Sequence, residues 1–214
     1  MKPIAPPRLP PPDAPTGWPE GDLIERESYA DLDLTDPPCD HASRVSLDVV
    51  RIRDGAFAGL SMQDWSMDDV VLENCDLSNA DLSRLSARRV SFKGCRVSGL
   101  KLAQGRFEEV SFLDCQGKYL LFESARFKRA VFERCTFGDA NFDKAELAGV
   151  VFLACVLPGS TFTGAKLNGT DLRGADLEGS RLKLAELRGA VISPAQAVAF
   201  LERDTGVVVK VDGA

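Results

Sequence analysis

The sequence has one histidine, two tyrosines, two tryptophans and no long apolar run. The single histidine, His41, has no second residue with which to form a nucleophile–base pair, so acyl-transfer catalysis is not indicated. A glycine-rich phosphate-binding loop is also missing. No apolar stretch approaches the length that spans a bilayer, and residues 1–7 lack the apolar core of a secretory signal. We therefore expect a cytoplasmic protein without membrane segments.

Most of the chain also lacks an excess of either charge. The net charge is −6, and residues 1–44 account for most of it with nine acids against four bases. Residues 45–192 hold twenty acids and twenty bases. Domains that bind nucleic acid usually carry a basic footprint. The neutral body therefore argues against direct nucleic-acid binding, and equally against a strongly anionic surface.

The N-terminal part is rich in proline, with eight of the twelve prolines in residues 1–20. Proline donates no backbone hydrogen bond and favours polyproline II, so we predict a disordered tail here. A ligand for a proline-recognising groove is the alternative. Residues 21–44 contain an imperfect repeat unit, in which Leu32 takes the frame position defined in the next paragraph, followed by a Pro-Pro pair. They are predicted to form an irregular N-terminal cap.

Residues 45–194 follow a five-residue period. Stepping by five from Leu47 to Ile192 gives thirty positions, which we call frame positions. Twenty-eight of them hold Leu, Ile, Met, Val or Phe, and the exceptions are Ala87 and Gly117. The position two residues before each frame position, the companion position, never carries a charge. Neither a helix nor a flat strand has a period of five, so the pattern predicts a solenoid with repeated corners and with both positions inward.

Several units have a more specific form. Residues 80–84, 140–144 and 175–179 read ADLSR, ANFDK and ADLEG. They match the unit A-(D/N)-(L/F)-x-x, and the chain resembles the pentapeptide-repeat proteins over about thirty contiguous units. The resemblance implies an all-β fold. More specifically, it implies a right-handed quadrilateral β-helix with twenty residues per coil, so that the repeats would make about 7.5 coils.

A second period of twenty residues supports such a coil. Five of the six cysteines stand twenty residues apart at companion positions, and phenylalanines recur at the same spacing. Coils separated by one strand spacing, roughly 4.8 Å, would stack these side chains in inward columns. The predicted structural core columns are Cys75, Cys95, Cys115, Cys135 and Cys155, and Phe92, Phe112, Phe132 and Phe152.

The cysteine column does not have the spacing of a metal site. Structural zinc sites bring cysteines together in closely spaced pairs with further ligands nearby. Disulfides need side chains that point toward each other, whereas these would point in parallel. We therefore expect buried, structural cysteines. No metal, no cofactor and no catalytic residue is predicted.

The charged residues follow the same offset of twenty. Each of the six acids in residues 64–83 has a base twenty residues later. The predicted ion pairs are Asp64–Arg84, Asp68–Arg88, Asp69–Arg89, Glu73–Lys93, Asp76–Arg96 and Asp81–Lys101. Residues 84–106 hold seven bases and no acid, but this offset favours an ion-paired surface over a nucleic-acid patch. Asp48 and Glu123 have no partner in the pattern.

The C-terminal residues 195–214 are predicted to cap the solenoid. Ser193 and Gln196 form a capping box with Pro194 at the first helical position, which predicts a short helix over residues 195–204. Thr205 and Gly206 would end it. The following valines read as a strand that pairs with the last coil or with a second molecule. This possible homodimer element consists of Val207, Val208, Val209 and Val211.

The sequence leads to three hypotheses about function. The repetitive surface without a reactive cluster favours a non-catalytic protein-interaction scaffold whose partner is unknown. The family resemblance implies a second possibility, a DNA mimic that binds gyrase, a type II topoisomerase, and protects it from quinolones. Such proteins are typically acidic dimers joined at their C-terminal ends, and this body is neutral. A metal-binding protein or an enzyme is the third.

Overall fold

The computed structural model describes residues 4–16, 18, 28–35 and 43–210. These residues form a parallel β-solenoid of about seven turns, followed by a short 3-10 helix and one α-helix, α1. The strands are β1 Ser28–Leu34, β2 Ser46–Arg53, β3 Ser66–Glu73, β4 Ser86–Lys93, β5 Arg106–Leu113, β6 Gln116–Lys118, β7 Arg126–Glu133, β8 Thr136–Gly138, β9 Val150–Leu153, β10 Cys155–Val156 and β11 Ala175–Asp176. The 3-10 helix is Leu184–Leu187 and α1 is Pro194–Thr205.

All of the strand pairs are parallel, and their register confirms the twenty-residue coil. A seven-stranded sheet has the order β1-β2-β3-β4-β5-β7-β9, and a four-stranded sheet has the order β11-β10-β8-β6. In the first sheet Val50 is the partner of Val70, which is the partner of Val90. Isolated bridges continue the same offset through the remaining sides, as between Asp81 and Lys101.

The first coil departs from this register. Ser28 pairs with Ser46, so the coil from β1 to β2 is two residues short of twenty. The interpretation of Leu32 as a frame residue is therefore wrong. Leu32 lies beside Val50, at a companion position, and Leu34 is the residue that stacks at the frame position.

Most frame and companion side chains point inward, as predicted, and the exposed companion residue Ala185 lies in the 3-10 helix near the C-terminal end. Each of the five column cysteines is at most 1% exposed, and the four phenylalanines of the other column are fully buried. Rings in that column stack with centroids 4.5 to 4.9 Å apart. Phe132 also meets the neighbouring columns edge-to-face, with centroids 6.0 Å from Phe137 and 6.3 Å from Phe142. The core is a continuous stack of apolar side chains.

The corners of the coil come two residues after frame positions. Many residues there have a positive φ, for example Asn74 at 55° and Asn79 at 57°. Asn, Asp and Gly tolerate this left-handed conformation better than other residues, which explains their recurrence at this position.

Two unusual inward residues have packing explanations. Gly117 takes a frame position because a Cβ there would lie 2.7 Å from the backbone of Val97 and Ser98 in the preceding coil. Trp65, the largest companion residue, is 1% exposed inside the core.

Residues 4–16, which we call the N-terminal strap, differ from the predicted disordered tail. Thr16 forms a parallel bridge with Asp33 of β1, and the Asp33 amide donates to the Pro15 carbonyl at 3.1 Å. Pro10 and Ala14 are buried. The strap therefore covers the edge of β1, which would otherwise present unsatisfied backbone groups.

Candidate functional surface

The outer faces carry ladders of ion pairs between successive coils. All six pairs predicted from the sequence lie within 4.0 Å in the structure. Further along the rod, Glu108 meets Lys128 at 2.6 Å, and Asp114 meets Arg134 at 2.7 Å. Each exposed pair contributes only about 0–1 kcal/mol, but the alternation disfavours slipped registers.

The two acids without a predicted partner find one elsewhere. Lys144 lies 3.3 Å from Glu123. Arg8 of the strap lies 3.5 Å from Asp48. Sequence reasoning misses Arg8 because it lies outside the repeats, where no offset of twenty identifies a partner.

The densest charge cluster surrounds Asp69, which is fully buried. Its carboxylate accepts hydrogen bonds from Arg89 at 2.6 and 2.8 Å and from the Arg8 amide at 3.0 Å. The Arg8 guanidinium contacts the same carboxylate. The Arg89 hydrogen bonds, followed by those from Arg8, outweigh burial and hold the pKa of Asp69 well below its usual range. The strap is thus fastened to the solenoid by a buried carboxylate.

We expect Arg8→Ala to loosen the strap. The variant removes the guanidinium from the Asp69 carboxylate, so the bond between the Asp33 amide and Pro15 should open more often. Hydrogen exchange followed by mass spectrometry should show several-fold faster exchange in residues 28–34. Lys101→Ala, which removes the ion pair with Asp81 away from the strap, is the matched control. Equal exchange rates in both variants would contradict the fastening role of Arg8.

The cysteine thiols lie inside the rod, where each sulfur meets the carbonyl 23 residues earlier. The distances from Sγ to this oxygen run from 3.3 Å for Cys155 to 3.7 Å for Cys75. Ser160 and Thr170 make the same bond with their hydroxyls, at 3.2 and 2.8 Å. Contacts with the neighbouring thiols, then burial, raise the pKa of Cys115 far above its usual range.

Nothing in this column resembles a reactive or metal-binding site. Cys75, Cys95, Cys115, Cys135 and Cys155 are free thiols. Across the described residues, no group of three or more His, Cys, Asp or Glu side chains is placed to hold a metal ion. The cysteine side chains fill the interior like small apolar residues, and their thiols, which are weak donors, hydrogen-bond to backbone carbonyls.

The thiols should therefore stay protected in the folded protein. With an aromatic disulfide reagent at pH 8, we expect five of the six thiols to react only after unfolding in urea. Cys39 lies outside the described residues and is the one thiol that this expectation leaves aside. Cys115→Ser, which keeps a donor, should fold. Rapid modification of two or more native thiols would contradict the buried column.

The C-terminal end is closed by α1 in the predicted manner. Ser193 is the N-cap, and its side chain and that of Gln196 form the capping box. Gln196 Nε2 also donates to the carbonyls of Leu172 at 2.7 Å and Ala175 at 2.9 Å. Gly206 ends the helix in the left-handed conformation at φ 73°. Helix side chains thus satisfy carbonyls of the last coils that have no further strand to bond.

The predicted strand after the helix is not formed in the described residues 207–210. The Val209 amide instead donates to Glu202 of α1 at 2.9 Å, which turns the chain back onto the helix. Val207 is 49% and Val208 74% exposed. Val211 lies outside the described residues. A dimer through these valines remains a prediction.

No helix among the described residues is long and apolar enough to cross a membrane. His41 lies outside the described part of the chain.

Comparison with known protein families identifies repeat sequences along the rod. The family description "Pentapeptide repeat region" matches residues 65–142, and "Pentapeptide repeats (8 copies)" matches residues 125–164 and 155–193. No curated protein sequence matches the chain.

Two solved structures that match this chain are distant from it in sequence. HetL, a pentapeptide repeat protein involved in heterocyst differentiation regulation from Nostoc sp. strain PCC 7120, is 19% identical with a TM-score of 0.63, covering 81% of this chain and 86% of HetL. Full-length QnrB1, a plasmid-mediated fluoroquinolone resistance protein, is 15% identical with a TM-score of 0.34, covering 82% of this chain and 98% of QnrB1. The similarity to HetL shows the fold alone.

Proposed function

Because the chain belongs to the pentapeptide-repeat family, we propose that it is a non-catalytic scaffold that binds another protein through an outer face of the rod. The observation that carries the proposal is the division between interior and surface. The interior is filled by stacked side chains, which leaves the outer faces as the part that a partner can contact. Repeat proteins commonly bind through such extended surfaces.

The arrangement of the outer charges also supports a scaffold over an active site. Most of the carboxylates and bases along β3, β4 and β5 are engaged with each other across neighbouring coils. A side chain that acts as a general acid or base must be free of such ion pairs and lie in a cleft that a substrate can enter. The cytoplasmic location expected from the sequence is part of the same proposal.

A photo-crosslinking experiment tests the scaffold proposal. A photoreactive residue is placed at Arg88 on the first sheet in one variant and at Ser98, which lies outside both sheets, in another. We expect one of the two variants to yield a discrete crosslinked protein that excess unlabelled chain competes away. Identical, non-competed products from both positions, or turnover of a substrate by the purified chain, would contradict it.

The DNA-mimic alternative receives less support from the charge pattern. A mimic of duplex DNA needs a continuous acidic face, whereas acids such as Asp68, Asp114 and Glu146 each lie beside a base. A gyrase supercoiling assay with and without a quinolone distinguishes a DNA mimic from a scaffold that binds another partner. We expect no inhibition and no drug protection at micromolar protein. The possible homodimer is tested by light scattering of the wild type and of Val208→Lys.

A further inference from the structure

Within residues 84–106, the coil-to-coil ion-pair pattern leaves one arginine out. Of the seven bases in residues 84–106, six meet the acid twenty residues earlier, and Arg106 meets Ser86. On its other side the partner of Arg106 in the next strand is Arg126. Like charges directly opposite each other in a sheet are destabilising. Here the alternation that orders the rest of the face is broken by two neighbouring guanidinium groups.

Neither guanidinium is firmly engaged. No ion pair among the described side chains includes Arg106, which is exposed. The Arg126 side chain is 65% exposed, and its Nε lies 3.9 Å from Glu146. Lys166 holds the same Glu146 carboxylate more closely, at 2.8 Å. Both arginines therefore keep most of their hydrogen-bond donors free.

A shallow groove of about 500 Å³ brings these donors together. Its wall includes Arg84, which is already held by Asp64 at 2.6 Å. Arg106 and Arg126 also line the groove. The rest of the lining consists of three uncharged polar side chains, Ser86, Gln104 and Ser124. Three arginines against one aspartate give the groove a net positive charge on an otherwise balanced body.

The rest of the surface indicates which ligand suits such a groove. Arg134 binds Asp114 through Nε at 2.7 Å and Nη2 at 2.9 Å, a two-point contact with a carboxylate. Arg84 holds Asp64 in the same way, at 2.6 and 2.8 Å. The arginine fork matches a carboxylate in this geometry. A carboxylate placed over Arg106 and Arg126 would restore the alternation of charges.

We propose that the groove between Arg106 and Arg126 is the docking site for an acidic segment of a protein partner, whose Asp or Glu carboxylates bind the two guanidinium groups. This inference rests on the proposed scaffold function and specifies the face it uses. Nucleic acid fits less well. The patch holds only two free arginines, whereas duplex binding engages a row of phosphates over a larger basic surface.

The test measures binding of a defined acidic probe. The probe is a fluorescein-labelled Gly/Ser heptapeptide with two glutamates, and its partner probe has glutamines in their place. Fluorescence anisotropy at low salt should show saturable binding of the glutamate peptide alone. Arg106→Ser, which repeats the serine at position 86, should weaken it by about fivefold or more, because a two-point charged contact is lost.

The control variant is Arg96→Ser. Arg96 is 76% exposed and lies 3.7 Å from Asp76, so the variant loses the same charge outside the groove and should bind the peptide like the wild type. Arg106→Ser should melt at the wild-type temperature or above it, since like charges no longer oppose each other. This readout separates loss of a site from loss of folding.

The remaining outcomes also decide the matter. Equal binding of the glutamate peptide by all three proteins, or no binding at all, overturns the groove as its site. The proposal of an acidic protein segment is also overturned if the peptide does not bind, but inorganic phosphate or a short single-stranded oligonucleotide binds and loses affinity in Arg106→Ser. A photoreactive residue at Arg88 or Ser98 could crosslink a partner whose binding is unchanged by Arg106→Ser. In that case the scaffold function stands and the groove inference fails.

Discussion

Phe132→Ala is expected to lower the free energy of unfolding by about 3–5 kcal/mol, because it removes a buried ring and leaves a cavity in a close-packed core. The ring lies between those of Phe112 and Phe152, with both centroids 4.9 Å away. It also contacts the other three columns of frame residues edge-to-face, including Phe122 at 5.9 Å and Phe127 at 5.8 Å. Each coil contacts only its neighbours, so a hole in the middle weakens the contact on both sides.

Urea denaturation followed by circular dichroism measures this loss. Phe132→Leu, which keeps most of the volume, should cost clearly less than the alanine variant. Tyr119→Ala is the surface control, since Tyr119 is 61% exposed. A cost for Phe132→Ala no larger than that for Tyr119→Ala would contradict the continuous aromatic column.

Asp69→Asn is expected to lower the free energy of unfolding by about 2–3 kcal/mol at pH 7, because a buried carboxylate bonded to two arginines is neutralised. Asp69 has φ 54°. Asparagine tolerates this conformation, so the substitution tests the charge rather than the backbone. Asp68→Asn is the matched control. Its side chain is 31% exposed, and its loss should cost about 1 kcal/mol or less.

The contribution of Asp69 should also depend on pH. Its pKa in the folded state lies below that of an aspartate in the unfolded chain, which is about 3.9. The stabilisation is therefore present above about pH 4 and is lost as the pH falls toward the folded-state pKa. Urea titrations at pH 7, 4 and 3 should show the gap between wild type and Asp69→Asn narrowing only in the acidic range. A gap independent of pH would contradict the ionised carboxylate.

Much of the fold was readable from the chain because its geometry is repeated. Every coil imposes the same twenty-residue advance, so a single inward position such as Cys75 predicts Cys95 and Cys115. The same repetition brought Asp64 beside Arg84 without knowledge of the structure, and the distance of 2.6 Å confirms it. Local capping chemistry likewise located the start of α1 at Ser193.

The N-terminal strap and the residues after α1 escaped prediction because their contacts have no period. The strap is fastened through Arg8 and Asp69, which are 61 residues apart. The strand expected after Gly206 is not formed where residues 207–210 are described, because the Val209 amide bonds to the helix.

The sequence alone determined the repeat, its inward columns and the register of its ion pairs, since a strict spacing leaves the backbone one way to bury apolar residues and pair charges. Only the tertiary structure decided where the pattern stops. It placed Arg8 on a buried carboxylate and brought the Gln196 side chain to the carbonyls of the last coils. It also left Arg106 and Arg126, which the offset of twenty places side by side, exposed along an open groove. These depend on side-chain reach and on which groups remain unsatisfied once the coils have stacked, and no spacing in the chain records either.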